Sequence, residues 1–331
     1  MTRAADTSSP PSGDAASDSP QEPTPKRDEE YWLEDGNIVL IAGETAFRVY
    51  RGLLSRQSGV FRDMFAAADP DVDATVEGCP VVHLSDSPED LRALLQTLVP
   101  TERRHVYLPD HKYTFNELEA MARLAHKYQI EDVLEQAISL LKTYYTDQSV
   151  KWETYHDPSV LPFSHRDANP IGIVLLARVL EESSMLPVAF YWCAILGNKI
   201  LDGWKRHDGK TMYLSREDAK AAVAGYGALS RDYGPMLHRI FAATDVQACT
   251  SRDKGGCKEA IEWMRARVEA LLARAPPQML NHSWTRNILH FQRLCTACKD
   301  ELVQRDKVER RKLWCSLPAM FGLSVQGWES V

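Results

Sequence analysis

Apolar residues in the first half of the chain follow two rhythms that switch at turn residues. Ile38, Val39, Leu40 and Ile41 form a mostly β-branched run, Gly43 and Glu44 supply a turn, and Phe47 and Val49 alternate with polar neighbours. This predicts two strands joined as a hairpin. Behind Ser58, whose hydroxyl can accept an N-terminal amide bond, Val60, Phe61, Met64 and Phe65 recur at helical spacing. A third strand is predicted at Val81-Val82-His83-Leu84. Ser87-Pro88-Glu89-Asp90 then predicts a helix start: Ser caps, Pro fits the first turn, and the acids face the positive end of the dipole. Leu91, Leu94, Leu95 and Leu98 line one face of that helix. Thr114-Phe115-Asn116-Glu117 has the form of a capping box, and the helix it opens carries Leu118, Met121, Ala122, Ala125 and Tyr128 on one stripe. Val133, Leu134, Ala137, Ile138 and Leu141 form the next. The predicted order is strand, strand, helix, strand, helix, helix, helix.

The second half reads as helical. Ile171, Val174, Leu175 and Val179 share a face, Leu186-Pro187 starts another apolar helix, and Ser215-Arg216-Glu217-Asp218 repeats the capping pattern. Ala260, Ile261, Met264, Val268, Leu271 and Leu272 make an amphipathic stripe that Pro276-Pro277 terminates. The stretch from Trp314 to Leu323, with Trp328, is too apolar for a free tail and is expected to dock on the helical region.

Composition refines the domain plan. Residues 1–29 are rich in Ser, Pro and Asp and bury too little to offset ordering entropy, so a disordered tail is expected. Residues 30–147 form the first domain, 148–169 a linker that packs rather than floats, and 170–331 a helical C-terminal domain. The 331 residues, 44% of them hydrophobic, supply a sizeable core. The start of the chain lacks the apolar core of a signal peptide, and no later run reads as long and apolar enough to cross a bilayer. The expected location is cytoplasm, nucleus or both, with no membrane partner. The net charge of −7 argues against wholesale phosphate binding. Arg252 to Lys312 is locally basic and contains Trp263, Trp284 and Phe291, but its acids are interspersed as on solvated helix faces, so nucleic acid is not an expected partner.

The stretches Asp35-Gly36-Asn37-Ile38-Val39-Leu40-Ile41, Phe47-Arg48-Val49-Tyr50-Arg51 and Leu53-Leu54-Ser55-Arg56-Gln57-Ser58-Gly59-Val60-Phe61-Arg62-Asp63-Met64-Phe65 resemble the opening of a BTB/POZ domain. Leu118, Leu124, Ala125, Tyr128 and Leu134 resemble its later helix pair, and the likeness covers roughly Tyr31 to Asp147. It implies an α+β fold, a small sheet flanked by helices, ahead of the mostly α-helical C-terminal region. It also implies a protein-interaction module. Val49-Tyr50-Arg51 stands where many animal members carry Ala-His-Lys or Ala-His-Arg, and the wording looks most like BTB proteins of mushroom-forming fungi. The resemblance places Asp35 in the dimer groove of members that dimerise. Tyr31, Trp32 and Leu33 would supply edge-pairing apolar surface, with Tyr50 and Arg51 beside them. Two partner classes suit the family: a second copy of the chain, or a cullin scaffold bound by a ubiquitin-ligase adaptor. Cullin adaptors carry an apolar-x-Glu element after the Met-Phe pair, where this chain has Ala66-Ala67-Ala68-Asp69-Pro70-Asp71.

Seven cysteines in a reducing compartment are read as small hydrophobes or metal ligands before disulfides. Cys295-x-x-Cys298 lets two thiolates reach one tetrahedral ion from a single turn, and Cys249 and Cys257 can close the shell as a structural zinc site. The spacing is looser than that of any standard zinc ribbon, and four reduced core thiols are the reading that it favours. His282 and His290 are spare candidate ligands. The chain lacks Gly-x-Ser-x-Gly, Gly-x-x-x-x-Gly-Lys, Gly-x-Gly-x-x-Gly and His-Glu-x-x-His, so no enzyme is expected.

Overall fold

The computed structural model describes residues 25–67, 75–99, 113–154, 170–242, 248–250, 256–272, 280 and 283–329. The predicted hairpin is β2 (Ile38–Ala42) and β3 (Thr45–Val49), antiparallel with Leu40 opposite Phe47. Gly43 takes the positive φ that the two-residue turn needs. β5 (Cys79–Leu84) runs parallel to β2, and a short β4 (Thr75–Val76) pairs back on it. A strand that the pattern did not predict, β1 (Lys26–Trp32), lies parallel to β3 and gives the order β1-β3-β2-β5-β4. It begins four residues before the expected domain start. Its anchor is Asp28, whose carboxylate accepts the backbone N–H of Glu30 and Tyr31 at 3.0 and 2.9 Å and pairs with Arg92 at 2.7 Å.

One face of the sheet packs on helices. The single helix expected after β3 is two, α1 (Arg51–Gln57) and α2 (Gly59–Ala67), broken at Ser58, whose backbone is extended. Ser58 Oγ accepts the Phe61 N–H at 3.0 Å and donates to the Tyr128 carbonyl at 2.6 Å. It therefore caps α2 and ties it to the later helices. α3 (Pro88–Leu98), α4 (Phe115–Lys127) and α5 (Glu131–Leu141) follow where the caps placed them, and both bonds of the Thr114/Glu117 capping box form.

The segment read as a linker opens with a helix, α6 (Ser149–Thr154), because Trp152 is buried against Tyr144, Tyr191 and Trp314. Residues 155–169 lie outside the described residues, as do 1–24 of the expected tail. α7 (Pro170–Val179), α8 (Leu186–Leu196), α9 (Arg216–Ile240), α10 (Gly256–Leu272), α11 (Thr285–His290) and α12 (Thr296–Met320) build the C-terminal region. A short hairpin of β6 (Trp204–Lys205) and β7 (Thr211–Met212) interrupts them. α8 packs against α7, α9 and α12. Contrary to the sequence expectation, the helical stretch Ser183–Asp202 is long and apolar enough to cross a membrane by length and composition. Here it is the core helix: Met185, Val188, Ala189, Phe190, Tyr191 and Cys193 are all buried.

Trp314 and Leu317 lie in the last turns of α12, and Trp328 folds back to stack on Trp314 at 4.9 Å. The apolar ending thus docks as expected. One hydrophobic core runs through both halves of the chain.

Candidate functional site

Five of the six residues expected at a partner surface gather at one corner of the sheet. Leu33 and Gly36 close a turn through Gly36 N–H to Leu33 C=O at 3.0 Å, which presents Asp35 to solvent between β1 and β2. Tyr50, at the end of β3, donates its hydroxyl to Asp35 Oδ1 at 2.7 Å. That bond pushes the Tyr50 phenol above its ordinary range. Arg51 opens α1: its N–H goes to Asn37 Oδ1 at 2.7 Å and its guanidinium to the Phe65 carbonyl at 2.8 Å. Trp32 and Leu33 are half-buried, with Arg27 over the Trp32 ring at 4.6 Å. Tyr31 requires a correction. It is 1% exposed and points into the main core, because the register of β1 shifts between Arg27 and Trp32, which breaks the alternation and puts Asp28 and Tyr31 both on the buried side. The corner also contains Asn37, which the sequence offered only within the stretch from Asp35 to Ile41.

β1 already pairs with β3 of its own chain, so the edge-pairing role expected of residues 31–33 is filled in part within one copy. Of the cullin-related stretch, Ala66 and Ala67 end α2, and residues 68–71 lie outside the described residues.

A second assembly was not visible from sequence spacing. Asp90, read as a helix-start acid, does receive the Ser87 cap at 3.2 Å but is buried. Its carboxylate meets Arg206 at 2.6 Å, Arg123 at 2.5 Å and His207 Nε2 at 2.8 Å. Burial opposes its ionisation, yet the His207 bond and the two guanidinium charges outweigh burial and hold its carboxyl well below the usual range. Glu119, beside the same arginines, is pushed up by burial. Arg206 and His207 belong to the β6–β7 hairpin and Asp90 to α3, so this network joins the C-terminal region to the first domain. Gly172 of α7 completes the joint, since a Cβ there would come within 2.7 Å of Phe115 and 2.9 Å of Trp204.

The four singled-out thiols also meet. Cys249 precedes α10, Cys257 is in its first turn, Cys295 caps α12 and Cys298 is in that helix's first turn. Their sulfurs all lie within 4.8 Å of one another, so the group can hold a metal ion. Cys295 and Cys249 Sγ are 3.8 Å apart, and the Cys295 N–H points to Cys257 Sγ at 3.4 Å. The Cys298 N–H, above all, pushes the Cys295 thiol down to about 6, with the Thr250 N–H assisting and burial opposing. Burial pushes Cys298 up. His290 does not join the group: its Nδ1 contacts the Arg286 carbonyl at 2.8 Å. His282 lies outside the described residues. The basic stretch is laced with acids as expected, Arg305 pairing Glu301 and Lys312 pairing Glu309.

No curated protein and no solved structure matches the chain. The family model of the BTB/POZ domain matches residues 33–145, the span that holds β2 to α5 and, apart from Trp32, the Asp35 corner, and this part of the chain is a BTB/POZ domain.

Proposed function

We propose that the protein is a non-enzymatic interaction module that acts by BTB-mediated self-association or by holding a protein partner, in cytoplasm, nucleus or both. The match over residues 33–145 carries this reading, since such domains commonly mediate protein–protein contact and dimerisation. The Asp35 corner supports it locally: Trp32 and Leu33 offer part of their apolar surface, and the exposed Asp35 and Arg51 rim them with opposite charges. A role in transcriptional regulation fits a self-associating module. The likeness to fungal members rests on the quoted motifs alone and names no partner. The thiol cluster enters this reading as a structural element of the helical extension.

A second reading, a substrate adaptor of a cullin-type ubiquitin ligase, is favoured by the helical extension locked onto the domain through Asp90 and Arg206. Sedimentation equilibrium of the full chain over a wide concentration range tests the first reading. The expected result is a dimer that Asp35→Ala with Arg51→Ala weakens. A monomer at all concentrations, together with retention of a purified cullin scaffold, overturns self-association and establishes the adaptor.

A further inference from the structure

The four clustered thiols have a geometry that scattered core cysteines do not. A tetrahedral ion bound by four thiolates at about 2.3 Å has sulfur–sulfur edges of about 3.8 Å. Cys249 and Cys295 already stand at 3.8 Å, and the widest separation in the set is no more than 4.8 Å. Disulfide bonding brings sulfurs in pairs to about 2.05 Å. None of the seven cysteines is in a disulfide, and these four are mutual neighbours rather than two pairs. Ordinary core thiols have no reason to converge from three separate segments. Here the loop before α10, the start of α10 and the start of α12 each deliver their sulfurs to one point.

Two local features favour anionic sulfur, against the burial of Cys298. The Cys295 N–H is aimed at Cys257 Sγ, and the two α12 cysteines sit at the positive end of a 25-residue helix. The donor set is all thiolate, which selects a soft, tetrahedral ion over magnesium or calcium. Four protein ligands fill the shell, so no position is left for a reacting water.

We propose that Cys249, Cys257, Cys295 and Cys298 bind one Zn²⁺ as a structural tetrathiolate centre that clasps the start of α10 to the start of α12. On binding, each thiol still protonated releases its proton to solvent as its sulfur bonds to the ion, with no change of oxidation state. The clasp fixes helices that otherwise share few contacts. α10 buries Ala260, Ile261, Met264 and Val268 in the same core that takes Trp314 and Leu317 of α12, and the clasp ties the starts of the two helices to each other.

The test uses the full chain purified without chelator or a metal-binding tag, with metal counted by mass spectrometry. The expected result is one zinc per chain, lost in Cys298→Ser and retained in Cys315→Ser, a free thiol outside the cluster. Because Cys298→Ser can misfold, the wild-type chain is also stripped by chelator and titrated with Co²⁺. Thiolate-to-cobalt charge-transfer absorption that saturates at one equivalent, and is displaced by Zn²⁺, supports the site. A folded chain without zinc whose stripped form gives no such absorption overturns it, and stoichiometric iron in place of zinc overturns the choice of metal.

Discussion

Arg206 places one guanidinium nitrogen 2.6 Å from Asp90 Oδ1 and 2.7 Å from Oδ2, bridging 116 residues of sequence. Both side chains are almost wholly buried, at 9% and 4% exposure. Breaking such a pair from one side leaves a buried charge short of its partner, at a typical cost of about 3–5 kcal/mol. Arg206→Ala is therefore expected to lower the denaturant midpoint strongly. Arg27→Ala, which removes an exposed partner of Glu77, should cost less than about 1 kcal/mol by the same denaturation measurement.

Acid should act on the same joint. The Asp90 carboxyl is held below its unfolded range, so near its unfolded pKa of about 3.9 the unfolded chain binds more protons than the folded one. Its contribution is complete above that value and is lost as pH falls below it. Glu119, shifted upward, works with the opposite sign at slightly higher pH. Urea unfolding from pH 7 down to pH 3 should show a shallower acid loss in Asp90→Asn than in the wild type, on a lower baseline.

Gly172→Ala sets two effects against each other. Alanine gains about 1 kcal/mol in helix propensity, but its Cβ would stand 2.7 Å from Phe115 and 2.9 Å from Trp204, neither of which is a mobile chain end. Overpacking of this kind costs about 1–3 kcal/mol, so net destabilisation is expected. Thermal unfolding by circular dichroism checks it, and an unchanged or raised midpoint would show that the two rings yield.

Ser58→Ala removes both bonds of one hydroxyl, leaving the Phe61 N–H without its cap and the Tyr128 carbonyl without its donor in a buried place. A loss of about 1–3 kcal/mol is expected. Hydrogen exchange should show the opening at the start of α2, with amide protection falling there first.

What was legible in the sequence was local. The β2–β3 hairpin and the α3 and α4 starts were readable because Gly43, Ser87 and Thr114 act on neighbours within a few residues. β1 was not, because Lys-Arg-Asp-Glu-Glu reads as a charged tail, and its placement depends on Arg92, 64 residues on. α6 was read as linker because only Trp152, held by distant rings, marks it as packed. Of the candidate sites, the residues of the Asp35 corner were singled out by the family resemblance, and the Cys295-x-x-Cys298 pair pointed to the four thiols that the fold brings together. Tyr31 was misplaced because alternation alone does not reveal which face a bulge turns inward. The Asp90–Arg206 joint carried no sequence signal, since an acid at a helix start has an ordinary explanation.

Asp28 gives the domain a boundary that hydrophobicity does not mark. A fragment trimmed to begin at Tyr31, where the apolar pattern begins, would keep almost every apolar core residue and lose the carboxylate that orients β1. Arg92 would then be left without its carboxylate beside the Phe47 ring. The folding unit therefore starts inside a stretch that looks solvent-loving, and proteolysis or truncation there would release an edge strand rather than shorten a tail.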